Sequence, residues 1–261
     1  MMQMKFYVNL ILLQLKSQMQ YKASFFLTIA GQFLTAFTSF FSISFVFDWV
    51  DAVDGFTYGQ VLLCFAVVMA SFSLGEMVGG GLADFPRKLG NGEFDRALVR
   101  PRSILLQILM PNVDFTRLGL LLQAAVVLFI AVPASGVSWN GKKILLLCLM
   151  IFCGSIVFFS FFLLKAACSF FTVENLNCMN IFTYGARQFG RYPFSIYGKG
   201  VLTFLTWVVP LALFQYYPLL YLLDREKSEA YIAFPLLSLL FCIPCYCFFC
   251  FGRNHYKSTG S

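Results

Sequence analysis

Six long apolar runs, separated by shorter polar segments, constrain this chain more than any other feature. They cover about 25–47, 58–79, 115–132 and 144–164, a fifth stretch that begins near 201, and 231–251. A helix needs about 20 mostly apolar residues to cross a bilayer, and lipid offers no hydrogen-bond partner to an unpaired backbone. The sequence therefore predicts an all-α polytopic membrane protein with six transmembrane helices.

The fifth run differs from the others because its second half contains prolines, at Pro210 and Pro218. Proline removes a backbone donor and kinks a helix. We therefore expect a broken or re-entrant helix near the outer surface, with its freed backbone groups satisfied by protein or water.

The composition leaves little room for any other kind of domain. The chain is 59% hydrophobic and 12% charged, with 33 Phe among 261 residues, whereas a soluble domain is about 25% charged. We expect one transmembrane domain over 1–257 and an appended tail over 258–261. The nine cysteines lie in apolar runs or in expected cytosolic loops and indicate no disulfide framework. The basic residues lack interleaved aromatic platforms, so nucleic acid is not an expected partner.

The amino-terminal segment, about 4–22, has the pattern of an amphipathic interface helix. Apolar residues alternate with a polar stripe formed by Lys5, Asn9, Lys16 and Gln20. Such a helix lies in the plane of the membrane surface. The alternative, a secretory signal peptide, is disfavoured because Asn9 interrupts the apolar core and no small-residue cleavage site follows.

The distribution of basic residues predicts the orientation. With six spans and the amino terminus inside, only Lys142, Lys143, Arg225 and Lys227 of the 19 Lys and Arg residues fall outside. The positive-inside rule places the basic loops in the cytosol. We therefore expect a multi-pass protein of the cell membrane with both termini cytosolic.

A stripe of small residues marks the second span. Ser71, Gly75 and Gly79 recur every four residues, a spacing that allows two helix backbones to approach closely in lipid. Two interpretations remain open at this stage. The stripe packs within the same subunit, or it forms a seam against a second membrane subunit.

The segment 80–111, called the docking loop below, is the densest charged part of the chain. Breaks at Asp84–Pro86, Gly90, Gly92 and Arg100–Pro101 predict short folded helices, and Asp84 and Ser103 are expected to cap two of them. Phe94 and Leu98 would project as apolar anchors, and charged residues would surround them: Arg87, Glu93, Asp95, Arg96, Arg100 and Arg102. This arrangement suits insertion into a groove of another protein. The alternative is a loop whose arginines bind lipid headgroups and fix the topology.

Other motifs indicate no chemistry of their own. The segment 136–143 matches a phosphate loop except that Lys143 replaces Ser or Thr, and its flanks are membrane spans rather than a strand and a soluble helix. Cys242, Cys245, Cys247 and Cys250 would lie on several faces of a helix, a poor geometry for metal ligation. Glu76 and Lys165 lie near the cytosolic ends of their spans, where snorkelling or a contact with the docking loop is expected. We predict no catalytic and no metal site.

Three stretches of the chain resemble a known family. They are similar to segments of the type 2 ABC exporter permeases and appear in the same order as in that family. The first is Gly92 to Ser103 followed by Leu106–Gln107, the second is Phe171–Asn175, and the third is Tyr192–Tyr197 with Val209–Pro210 and Tyr217–Pro218. They are similar to a subgroup often encoded as permease pairs, and the resemblance covers nearly the whole chain.

The resemblance implies a mechanism with chemistry in a partner. It implies six spans, an interface helix, a coupling helix in the first intracellular loop, and an ABC ATPase homodimer beneath two permeases, with ATP and Mg²⁺ bound by that partner. It places ATPase contacts within 87–102, on Glu93, Phe94, Asp95, Arg96 and Arg100 above all. The expected function is export by alternating access. The alternative function is an autonomous channel or secondary transporter.

Overall fold

The computed structural model describes residues 2–101, 103–172 and 179–256, with side chains from Phe6 onward. Arg102, Val173, Glu174, Asn175, Lys257 and the tail 258–261, named above, lie outside the described residues. The described chain forms a two-stranded hairpin, β1 (Ala52–Val53) and β2 (Phe56–Thr57), and these helices: α1 (Met2–Gln18), α2 (Lys22–Phe47), α3 (Tyr58–Gly79), α4 (Phe85–Gly90), α5 (Glu93–Leu98), α6 (Ile104–Leu109), α7 (Leu118–Ala134), α8 (Gly141–Cys168), α9 (Ala186–Phe189), α10 (Lys199–Trp207), α11 (Leu211–Phe214), α12 (Tyr216–Leu222), α13 (Ala230–Ser238) and α14 (Cys242–His255).

The predicted all-α polytopic fold is confirmed. Within the described residues, five helical stretches are long and apolar enough to cross a bilayer: Phe6–Phe47, Tyr58–Gly90, Phe115–Ala134, Gly141–Cys168 and Ala230–His255. A sixth span is present if α10 and α11–α12 are one broken helix, bent by 87°. The break lies beside Pro210, one of the two prolines that predicted it.

The predicted interface helix corresponds to α1 and the 3₁₀ turn Met19–Tyr21. The stretch Phe6–Phe47 has 42 residues, and at 1.5 Å per residue it is about twice as long as the ~30 Å hydrocarbon core. Part of it must therefore lie outside that core. Gln18 ties this part to the bundle, since its Nε2 donates to the Val113 carbonyl at 2.7 Å and its Oε1 accepts from the Phe115 amide at 3.0 Å.

Helix α3 is the centre of the bundle. It packs between α7 and α8, and its side chains from Val61 to Phe72 are all buried. A helix that is apolar on every face is typical of a fully enclosed position. Helix α3 begins at Tyr58, and Thr57 immediately before it forms a reciprocal capping box with Gln60.

The small-residue stripe on α3 is filled by this chain's own α8. Ser71 Oγ donates to the Ile151 carbonyl at 3.3 Å, and a Cβ added at Gly75 would lie 2.8 Å from the Phe158 Cβ. Gly79 likewise faces the Phe162 side chain. The structure therefore corrects the seam interpretation: Ser71, Gly75 and Gly79 pack inside the subunit and are buried from any second permease.

The segment 181–198 also differs from expectation, because the count of basic residues assigns Arg187 and Arg191 to a polar connection, 165–199, on the cytosolic side of the membrane. In the structure Gly190 packs against Val68, near the middle of α3, at a distance that leaves no space for a Cβ. Gln215 Nε2 donates to the carbonyls of Gly190 and Tyr192 at 3.0 and 3.2 Å. This amide satisfies backbone groups that a helix break would leave unpaired inside the bundle, which lipid does not tolerate.

The end of the bundle opposite the docking loop is closed by polar contacts that the sequence did not reveal. Lys143, in the first turn of α8, is buried, and its Nζ lies 2.8 Å from the Asp224 carboxylate and 3.0 Å from the Leu222 carbonyl. Its role is to join α8 to the turn after α12. Arg225 covers the Phe56 ring at 3.9 Å and donates to the Gly55 carbonyl, which holds the hairpin in place.

The packing of α3 on α8 predicts opposite effects of the same substitution at two helical glycines. A methyl group at Gly75 meets α8 side-chain and backbone atoms, whereas nothing lies within 4 Å of a Cβ at Gly31 of α2. Gly75→Ala should lower the free energy of unfolding by about 1–3 kcal/mol through overpacking, and Gly31→Ala should leave it equal or raise it by up to about 1 kcal/mol. Thermal unfolding in detergent measures both. Equal stability of the two variants would contradict this packing.

The contact between Lys143 and Asp224 predicts a dependence of stability on pH. The hydrogen bond from the Lys143 ammonium holds the pKa of Asp224 below its ordinary value. A lowered folded-state pKa adds stability above the unfolded-state pKa of about 3.9, and this stability is lost as the pH falls through the folded-state pKa. Between pH of about 5 and 2 the wild type should therefore lose more stability than Asp224→Asn. Glu229→Gln, which removes an exposed partner of Lys142, is the control expected to follow the wild type.

Candidate docking surface

The docking loop is folded into three short helices, α4, α5 and α6, as its break residues predict. Pro86 lies in the first turn of α4, and Gly92 joins α4 to α5 with a φ of +68°, a conformation that glycine adopts without strain. Asp84 and Ser103 precede α4 and α6, but neither side chain makes the expected capping hydrogen bond. Asp84 instead pairs with Arg87 at 3.8 Å, on the surface.

One face of the loop is apolar and packs on the bundle. Phe94 is only 2% exposed, and its ring centroid lies 5.4 Å from Phe85, 5.3 Å from Phe170 and 5.1 Å from Tyr256, in edge-to-face pairs. Phe249 of α14 joins the same cluster. The expectation that Phe94 projects toward a partner is therefore corrected. This ring holds α5 on the ends of α8 and α14.

The other face of the loop is exposed and mixes apolar with charged groups. Leu98 is 40% and Val99 83% exposed, so these two residues are the apolar groups that a partner can reach. Four of the charged residues that the sequence singled out are also exposed in this loop: Arg87, Glu93, Arg96 and Arg100. Asp95 is half-buried. Leu98 was predicted to project, whereas Val99 was missed because it does not share a helical face with Phe94.

A cleft of about 550 Å³ opens between α5 and α6. Its walls carry three basic side chains, Lys88, Arg96 and Arg100, and one acidic side chain, Glu93. Gln107 of α6 donates to the Ala97 carbonyl at 3.4 Å across its floor. A cleft of this kind can accept a carboxylate-bearing side chain of a partner.

The two ionisable residues expected near the cytosolic ends of the spans have partners inside the bundle. Glu76 is 1% exposed, and its carboxylate lies 3.4 Å from Arg117 Nε. Arg117 also pairs with Asp114 at 3.1 Å. Lys165 donates to Asn180 Oδ1 at 2.9 Å. In the part of the chain that the structure describes, neither forms an ion pair with the docking loop, although Asp84 of the loop attracts Lys165 electrostatically.

The residues that position the loop come from distant parts of the sequence. Phe170 follows α8, and Tyr256 follows α14, and each contacts the Phe94 ring. A Cβ at Gly252 would collide with Phe170, so α14 also approaches Phe170 closely. Nothing in the spacing of these residues distinguishes them from other aromatic residues of a Phe-rich chain.

The four cysteines of α14 lie on different faces of the helix, as their spacing predicts. Cys245 is buried on α14, whereas Cys247 of the same helix is exposed. Among the described residues no group of three or more His, Cys, Asp or Glu side chains could hold a metal ion.

Comparison with known proteins gives one match. A family model described as "ABC-2 family transporter protein" matches residues 33–260. Searches of curated proteins and of solved structures found no match. The family match spans all the predicted transmembrane helices except the beginning of the first, and the folded loop, the broken fifth span and the remaining helices all lie within it. The chain therefore belongs to the ABC-2 family of transporter membrane proteins.

Proposed function

We propose that this chain is the permease subunit of an ATP-driven exporter and that a separate ABC ATPase homodimer docks on the exposed face of α5. The observation that carries this proposal is the two-sided loop. Phe94 fixes α5 to the spans, while Leu98 and Val99 remain exposed beside basic side chains. An apolar centre with a charged rim is typical of a protein-binding surface.

The orientation supports the same partner. The structure brings the end of α1 to Val113, two residues after the docking loop, and the end of α14 to Phe94 within the loop. Both terminal segments therefore lie at the same end of the helix bundle as the docking loop. Because this side also carries most of the Lys and Arg residues, the positive-inside rule places it in the cytosol of a cell-membrane protein, where ATP is available.

The proposed mechanism is mechanical. ATP and Mg²⁺ bind in the partner, and closure of the ATPase dimer pushes α5. The Phe94 ring passes this displacement to Phe170 and Tyr256, and hence to the ends of α8 and α14. Helix α8 packs on α3 and α14 packs on α8, so movement of these two helices changes the packing of the bundle and favours alternating access.

A second six-span permease, identical or homologous, completes the proposed assembly. Its contact surface lies outside the stripe at Ser71, Gly75 and Gly79, because α8 already covers that stripe. Helix α2 offers a large exposed apolar surface instead, with Leu27, Leu34 and Phe41 each more than 60% exposed. Lipid and a second permease both suit this surface.

Docking on α5 predicts that a negative charge at Val99 weakens assembly with the ATPase. Val99→Asp buries an unpaired carboxylate at the centre of the contact and should weaken ATPase binding about 30-fold, the effect of losing roughly 2 kcal/mol at an interface hot spot. Val50→Asp places the same change at an exposed apolar residue of the opposite end and should have no effect. Co-purification with a co-expressed ABC ATPase, followed by titration, measures both. Unchanged binding by Val99→Asp and Leu98→Asp would refute docking at this surface.

The aromatic cluster predicts a variant that binds the ATPase without transmitting its closure. Phe170 lies outside the exposed face, so Phe170→Leu should leave ATPase affinity within about twofold. It removes the edge-to-face pairs with Phe94 and Phe85, each contributing about 0.5–1.5 kcal/mol. The measurement is hydrogen exchange at the hairpin 52–57 in the assembled complex with and without ATP. We expect the ATP-dependent change in protection to fall by at least half. If the variant keeps the full ATP-dependent change in protection, the aromatic cluster does not transmit closure of the ATPase to the bundle.

A further inference from the structure

A second polar cleft, of about 300 Å³, lies among the spans between α2, α3, α7 and the segment 181–198. Met69, close to the midpoint of α3, and Thr35, close to the midpoint of α2, both line it. The cleft thus reaches the middle of two membrane-spanning helices. Ionisable side chains at that depth are costly and mark functional sites.

Three arginines line this cleft: Arg117, Arg187 and Arg191. Arg117 is neutralised by Glu76 and Asp114. Arg187 and Arg191 form no ion pair with any described residue, and the Nε atom of each is enclosed without a hydrogen-bond partner. The Arg187 guanidinium instead lies over the Phe72 ring at 4.7 Å.

The other groups that face these two arginines do not compensate their charge. Glu76 acts on Arg187 electrostatically, but its nearest basic partner is Arg117. The rest of the lining is uncharged: three apolar side chains, and hydroxyl and amide groups from Gln32, Thr35, Thr38, Ser39 and Gln188. The cleft therefore holds an excess of positive charge, with donors in the planar fork geometry that matches phosphate and carboxylate groups.

The surroundings of the cleft indicate what is attached to the anion. A volume of about 300 Å³ is at the lower limit of small-ligand sites, enough for a headgroup. Thr38 of the lining lies one turn from Leu34, which with Leu27 and Phe41 forms an exposed apolar row on α2. An acyl or other apolar tail can lie along this row while the headgroup enters the cleft.

We propose that Arg187 and Arg191 form a binding site for the phosphate or carboxylate headgroup of an anionic amphiphile. The proposal does not depend on ATPase docking, because the cleft and the exposed face of α5 share no residue. The ligand is supplied from the membrane as a lipid or from solution as an anion, and the two sources can be separated by experiment.

The test uses the full chain in uncharged maltoside micelles and two probes that differ only in a phosphate, oleoyl lysophosphatidic acid and monooleoylglycerol. We expect the wild type to bind the phosphate-bearing probe at least tenfold more tightly. Arg191→Gln should reduce that affinity about tenfold, the loss expected on removing one charged hydrogen bond to a ligand. Arg253→Gln, which removes an arginine from the last turn of α14, is the matched control and should bind as the wild type does.

A second variant keeps the test decisive if Arg191→Gln does not fold. Gln188 is exposed at the rim of the cleft, so Gln188→Glu adds a negative charge without removing a packed group. This variant should reduce the affinity for the phosphate-bearing probe by a similar factor. Competition by millimolar inorganic phosphate supports a site for soluble anions, and lack of competition supports a lipid headgroup. Equal binding of both probes by the wild type, or wild-type affinity in both folded variants, overturns the proposal.

Discussion

The close approach of α8 to α3 is the contact on which the rest of this structure depends. In lipid an apolar helix gains little from hiding apolar surface, so association depends on van der Waals contact between backbones that come close together. Gly75 on α3 and Gly154 on α8 leave no space for a Cβ, and Ser71 adds a hydrogen bond to the α8 backbone. With α8 in this position, Phe158 and Phe162 reach the Phe72 ring, and the aromatic core at the docking-loop end can form.

That aromatic core explains how a short helix outside the spans can have a fixed place. Helix α5 has only six residues, too few to be stable alone, and its position comes from Phe94 among Phe85, Phe170 and Tyr256. The loop is consequently joined to three spans, through its own continuity with α3 and through aromatic contacts with the ends of α8 and α14. A force on α5 is therefore distributed over the bundle and does not act on α3 alone.

The features predicted from sequence are those set by local chemistry. Span length and apolarity fixed the membrane helices, Pro86, Gly90 and Gly92 fixed the breaks of the docking loop, and the prolines near 210 fixed the bend of the fifth span. The orientation of α5 about its axis was not predictable. Phe94 and Leu98 have the spacing of one apolar face, and only the distant Phe170 and Tyr256 show that Phe94 faces inward.

The location of the segment 181–198 was not predicted correctly, for a related reason. Arg187 and Arg191 have the charge of a loop outside the membrane, and a count of basic residues assigns them there. Inside the bundle they are tolerated because Phe72 covers one guanidinium and because Gln215 satisfies the backbone at Gly190. These partners lie far away in sequence and are neutral, so no local charge pattern indicates them.

The docking loop and the arginine cleft meet at one short segment. Asp114 N donates to the Met77 carbonyl at 2.9 Å, and Ser73 Oγ donates to the Arg117 carbonyl at 2.9 Å, so the chain leaving the loop is fixed to the last turns of α3. The Arg117 side chain reaches from this segment into the cleft and pairs with Glu76 on the way. Any displacement of the loop that shifts this segment must therefore move one of the three arginines of the cleft, which makes the charge available to an anion dependent on the position of α5.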